Sequence, residues 1–188
     1  MVVASMNHAI TLIVPTTFLG HTRAVETAWL SKAELAAWVR LVAVVELLPG
    51  VLDTQLRRDA GLTMFEYYVL ATLSEAPGRV LRMTALAAQT NATLPRLSHV
   101  VRRLEKRALV RRVPATDDRR ATDAHLTDAG WRTVQETAPG HVAHVRDRVI
   151  DALTPAQVAQ LTEIADALLP RLDPAGTMTG LYHRHDDA

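Results

Sequence analysis

Residues 94–112 read LPRLSHVVRRLEKRALVRR, and this stretch decides the fold. Leu94, Leu97, Val101, Leu104 and Ala108 recur at helical spacing and form one apolar stripe. Arg96, His99, Arg103 and Lys106 fall on another face, flanked by Ser98 and Arg102. Widening the window to residues 93–120 collects nine Arg and Lys against three Asp and Glu, a local charge of +6. The whole chain carries only +1, so the remainder totals −5. The positive charge is concentrated, and the overall balance hides it.

The elements around this helix give it meaning. Thr93 is positioned to cap it, and Pro95 falls in the first turn, where proline is tolerated. After Ala108 the period changes. LVRRV at 109–113 and AHL at 124–126 have strand character and enclose a polar tip, TDDRR at 116–120, so a two-stranded ribbon is expected. Upstream, Thr63 and Glu66 form a capping box that opens a helix with Phe65, Val69 and Leu73 inward, stopped by Pro77-Gly78. A short helix over 83–89 buries Leu86, and Asn91 to Thr93 make a turn. Helix, helix, turn, basic helix and basic hairpin, in that order, predict a winged helix-turn-helix. A basic amphipathic helix alone is often only a solvated face. The hairpin that follows argues for a cationic face that enters a major groove about 12 Å wide.

Longer helices flank this lobe. Ser31 and Glu34 make a first capping box, followed by Leu35, Trp38, Leu41, Val42, Val45, Leu48, Leu52 and Leu56 at helical spacing. Pro49-Gly50 predicts a kink or break, and Gly61 an end. Residues 128–152 are expected to be helical, capped by Thr127 or Asp128 and bent or split at Pro139-Gly140. A last helix is expected from Thr154-Pro155 to Pro170, with Val158, Leu161, Ile164, Leu168 and Leu169 inward. The apolar faces of these helices exceed what one small winged domain buries. The fold class is therefore mainly α with a small β-hairpin wing. Residues 1–30 form an N-terminal extension, 31–60 a dimerisation helix and 61–127 the DNA-binding lobe. Residues 128–170 are expected to be the C-terminal dimerisation helices, and 171–188 is expected to be a flexible tail.

Composition removes several function classes. The chain of 188 residues has no cysteine, which excludes disulfides, thiolate nucleophiles, cysteine metal sites and thiol redox switching. The apolar run at 9–19 is shorter than a membrane span and interrupted by Pro15, and no Lys or Arg precedes it. Neither a secretory signal nor a membrane partner is expected, and the location is expected to be cytoplasmic. No G-x-S-x-G elbow, Gly-rich phosphate loop or H-E-x-x-H occurs, so no enzyme activity is expected. A membrane-surface role for the basic helix is disfavoured, because it carries no aromatic residue on its apolar face. His141 and His144, with Asp147 nearby, are weak metal candidates without a clear third ligand, and a zinc-responsive regulator is the alternative reading. No cofactor is expected. His125 reads as structural.

The stretches LTMFEYYVL at 62–70, MTALA at 83–87, VRRLEKRALVR at 101–111, DRR at 118–120 and LTDAG at 126–130 together resemble the MarR family of transcriptional regulators. The resemblance runs from about residue 30 to about residue 170, and APGHV at 138–142 followed by Val145-Arg146 is similar to a subgroup. It implies a homodimer held by the first and last two helices, binding a pseudo-palindromic double-stranded DNA operator with half-sites about 10 bp apart. It implies repression as the default, relieved by an unidentified small-molecule effector. Asp118 and Arg120 match the family's wing-tip Asp-x-Arg, with Arg120 in the minor groove and Asp118 holding its guanidinium. Ser98, Arg102 and Arg103 match polar recognition positions. Thr93 and Arg96 sit nearest the groove floor, and His99 stands where Arg is common. Lys106 and Arg119 complete the expected DNA-binding set. Leu94 and Pro95 depart from the polar residues common in relatives; core packing is the expected role of Leu94, with contact to a thymine methyl the alternative. Trp38, Phe65, Tyr68 and Trp131 are the candidate walls of an effector pocket.

Overall fold

The computed structural model describes residues 28–118 and 120–182. The chain divides into two units, one ending at Leu47 and the other running from Leu48. The first helix, α1 (Lys32–Ala60), begins in one and ends in the other.

In the first unit the expected capping box is present. Ser31 N donates to Glu34 Oε2 at 2.7 Å, and Glu34 N donates to Ser31 Oγ at 3.3 Å. Beyond the cap, Trp38, Leu41, Val44, Val45 and Leu47 are exposed, as are Trp29 and Leu30 before it. Among the described residues, α1 is the one helix long and apolar enough to cross a membrane by length and composition.

Pro49 does not break α1, which stays helical for 29 residues. A proline removes one N–H and frees one carbonyl four residues earlier. Pro49 and Val45 are both exposed within one chain, so the freed carbonyl is not sealed in its core. The same reasoning covers Pro139. It is exposed, as is Gln135, and α5 (Asp128–Arg148) runs through it unsplit.

The second unit holds the core. Helices α2 (Met64–Glu75), α3 (Met83–Gln89) and α4 (Leu94–Lys106) bury Leu70, Leu73, Leu86, Leu97, Val101 and Leu104 completely. The Thr63 capping box forms as read, with Thr63 N donating to Glu66 Oε2 at 2.8 Å and Glu66 N to Thr63 Oγ1 at 3.1 Å. The ribbon is larger than expected. Strands β2 (Val110–Pro114) and β3 (Thr122–Leu126) form the hairpin, and β1 (Val80–Arg82) adds to the free edge of β3. All pairs are antiparallel, with Arg82 opposite Asp123 and Pro114 opposite Thr122. A three-residue strand is too short to show alternation in sequence.

Helix α5 is seated against the sheet by Thr127 and Gly130. Thr127 Oγ1 accepts the Gly130 N–H at 3.0 Å and donates to the Ala108 carbonyl at 2.7 Å. A Cβ on Gly130 would lie 2.2 Å from the Leu109 carbonyl oxygen, so only glycine allows this approach. The last long helix, α6 (Pro155–Leu172), has a Thr154–Gln157 capping box and continues two residues past Pro170. Its apolar residues are not inward within one chain: Leu161, Ile164 and Leu168 are exposed and none of the helix is buried. After it, Asp173 accepts the backbone N–H groups of Thr177 and Met178, leading into α7 (Thr179–Tyr182).

Candidate nucleic-acid interface

Helix α4 is fixed from one side. Leu97, Val100, Val101 and Leu104 anchor it in the core, and Thr93 Oγ1 accepts the Arg96 N–H at 3.4 Å as the N-cap. Thr93, Arg96, His99, Arg102, Arg103 and Lys106 are exposed, and Ser98 is half-buried.

Two of these cations are engaged inside the molecule. The Arg96 guanidinium stacks on the Phe65 ring at 4.3 Å. Arg103 Nε lies 3.1 Å from Glu66 Oε1, whose side chain is only 8 % exposed. Arg103 therefore closes the α2 capping box as well as contributing charge to the face.

The wing is braced by two arginines that sequence reasoning did not place in the site. Arg112 on β2 gives its backbone N–H and its Nε to the two oxygens of Glu105, each at 2.9 Å, and its Nη2 lies 2.6 Å from Oε2. The Arg112 guanidinium beside it holds the Glu105 carboxyl below its usual range. This ties the wing to α4. Arg82 on β1 reaches Asp117 at 2.5 Å and Asp123 at 3.6 Å, and holds the Asp117 carboxyl low. The pairing crosses 35 residues of chain, so no local pattern announces it.

At the wing tip, Asp118 Oδ1 accepts the backbone N–H of Arg120 at 2.9 Å. The carboxylate shapes the turn through that amide. Arg120 is exposed. Arg119 lies outside the described residues. Between wing and α4 runs a cleft of about 190 Å³, lined by Thr84, Leu94, Ser98, Arg112, Arg120 and Thr122, among others. Leu94 is 43 % exposed there, which overturns the core role expected of it. The core stripe starts one turn later, at Leu97.

Two of the expected effector-pocket residues come together. Phe65 and Tyr68 line one pocket of about 450 Å³ with Pro49, Asp53, Met64 and Arg96. Trp131 is elsewhere, under the Arg79 guanidinium at 4.3 Å. Trp38 lies in the first unit, half-exposed. His141 Nδ1 is 3.2 Å from Gln55 Oε1, and its ring meets Tyr67 at 4.9 Å. His144 Nε2 is buried without a hydrogen-bond partner, and Asp147 pairs with Arg148. Among the described residues no group of three His, Asp or Glu side chains is placed to hold a metal ion.

This geometry recurs in known proteins. A model of the MarR family matches residues 60–121. The crystal structure of Sco3205, a MarR family transcriptional regulator from Streptomyces coelicolor in complex with DNA, is 44 % identical. It superposes with a TM-score of 0.74 over 77 % of this chain and 94 % of that one. The chain belongs to the MarR family. AbsC, a MarR family transcriptional regulator from the same organism, is 41 % identical over 79 % of this chain and 98 % of its own, with a TM-score of 0.72. The MepR–DNA complex of S. aureus, 19 % identical with a TM-score of 0.61 over 71 % of this MarR chain and 95 % of that one, shares the fold. No curated protein matches.

Proposed function

We propose that this MarR-family transcriptional regulator acts as a homodimer on a pseudo-palindromic duplex, as a repressor. The observation that carries the reading is the cleft between α4 and the wing: two cationic elements, braced to each other by Arg112 and Glu105, face one space. The α4 face suits a major groove, and Arg120 at the tip suits the adjacent phosphates or minor groove. The DNA-binding set is Thr93, Arg96, Ser98, His99, Arg102, Arg103, Lys106, Asp118, Arg119 and Arg120. The Sco3205 complex supports duplex DNA as the partner.

A second copy accounts for the uncovered apolar helices. Trp38, Leu41, Val44 and Val45 on α1, and Leu161, Ile164 and Leu168 on α6, are exposed in one chain. Surface this apolar is characteristic of an obligate interface. A membrane offers α1 another apolar partner, but Arg40 and Glu46 stand within the helix, and charges in a span are costly. Cytoplasmic location follows from the regulatory reading.

An effector is accommodated by the pocket at Phe65, Tyr68 and Arg96. Arg96 belongs to α4, so a ligand that displaces its guanidinium from Phe65 alters the first turn of the recognition helix. A ligand that favours that altered state shifts the population away from binding.

Selection from a random duplex library with the purified full chain tests the reading. A two-fold symmetric enriched site, bound with an affinity that falls linearly on a log-log plot against salt, is expected. No enrichment, or an asymmetric site, contradicts it.

A further inference from the structure

We propose that Leu94 is a specificity-determining residue that reads the C5-methyl group of one thymine in each half-site. The inference rests on the reading of α4 as the recognition helix.

Leu94 is the first residue of α4 and is 43 % exposed. Leu41 and Leu47 on α1 and Leu161, Leu168 and Leu172 on α6 are exposed among other apolar residues of those helices, the surface assigned above to a second copy. Leu94 opens instead onto a cleft edged by Arg82, Arg112 and Arg120, with Ser98 and the apolar Met83 beside it. An apolar side chain rimmed by cations is a poor match for a like surface on another copy.

Duplex DNA supplies what the setting lacks. Arginines around the cleft attract the phosphates. The thymine methyl is the one apolar group on the base edges of the major groove, and apolar side chains are its ordinary partners. It projects toward the backbone of its own strand, where an apolar side chain at the edge of a cationic cleft can reach it. Ser98, one turn after Leu94 and half-buried in the same cleft, offers a hydroxyl to the neighbouring base.

The first turn is also held still. Thr93 caps it and Pro95 fixes its φ, so Leu94 is presented with little conformational freedom left to lose. A contact of this kind excludes cytosine, which puts a bare C5 edge and an amino group where thymine has its methyl and a carbonyl.

The test uses the full chain and its selected duplex. Thymines of each half-site are replaced symmetrically, one position at a time, by deoxyuridine. This removes the methyl and leaves every hydrogen-bonding group and phosphate. One position is expected to lose affinity by about threefold to fivefold per half-site, the worth of one buried methyl. Leu94→Ala is expected to abolish that sensitivity while binding with an unchanged salt slope. Arg120→Ala should bind more weakly and keep the sensitivity. No sensitive thymine, or an equal loss in Leu94→Ala, overturns the proposal while leaving the duplex-binding reading intact. Failure of the wild-type chain to select any duplex overturns both.

Discussion

Arg82 Nη2 lies 2.5 Å from Asp117 Oδ1, tying strand β1, which leads directly into α3, to the tip of the wing. The wing arm is therefore braced at two heights, by Arg82 on one side and by the Arg112–Glu105 pair on the other. If Arg82 sets the wing tip, Arg82→Ala weakens duplex binding, and most of the effect of Arg120→Ala disappears in that background. A double-mutant cycle followed by fluorescence anisotropy should give a coupling of at least about 0.5 kcal/mol. Additive losses would mean that the two arginines act separately.

Arg120 itself is exposed, so Arg120→Ala should leave Tm almost unchanged, within about 0.5 kcal/mol of stability. Its salt slope should fall by about one, as for the loss of one phosphate contact. Unchanged affinity and slope would remove the wing from the mechanism.

Arg103 and Arg102 are neighbours with different expected outcomes. Arg103 pairs with the nearly buried Glu66, and Arg103→Ala should cost about 1 kcal/mol of folding stability in a urea titration. Arg102→Ala should preserve stability and lower duplex affinity. Equal stability losses would contradict the assignment.

Much of this organisation was legible in the chain because it is local. Two capping boxes, at Ser31 and Thr63, and the Thr93 and Thr127 caps use residues three apart, and all form. The basic helix and its ribbon follow from period alone. What escaped depends on distance or on solvent. Arg82 finds Asp117 across the fold, and β1 is recruited by β3. Prolines 49 and 139 sit on exposed turns of their helices, outside the core of one chain. Leu94 continues the apolar stripe in sequence, yet the core ends one turn below it. Asp118 and Arg120 were legible as a pair, but not through which atoms they meet.

Two glycines should respond oppositely to alanine. At Gly130 the added Cβ meets the Leu109 carbonyl oxygen at 2.2 Å and Leu126 Cδ1 at 2.6 Å, so Gly130→Ala should lose about 3 kcal/mol or more. Gly50 lies within α1 with nothing within 4 Å of an added Cβ, and Gly50→Ala should gain about 1 kcal/mol. Thermal melts of both variants check the pair.

His141 gives stability a pH dependence of known sign. Burial, with a smaller contribution from His144, lowers its pKa below the ordinary 6.5. The unfolded chain then binds the proton more readily, so this contribution is complete above about pH 6.5 and is lost as pH falls through the folded pKa. Gln55, His144 and Tyr67 lie around it, and Asp59, which accepts from Gln55 and is held down to about 2 chiefly by Arg58 and Gln55, stays charged throughout that window. His141→Gln should flatten the decline of Tm between pH 7.5 and 5. An unchanged slope would assign the acid sensitivity elsewhere.

The central claim is that two copies of this chain read one symmetric duplex. Native mass spectrometry of the full chain with its selected duplex tests it directly. Two chains per duplex are expected, and a dimer of two chains when DNA is omitted. A complex of one chain per duplex, or a free monomer at the same concentration, would contradict it.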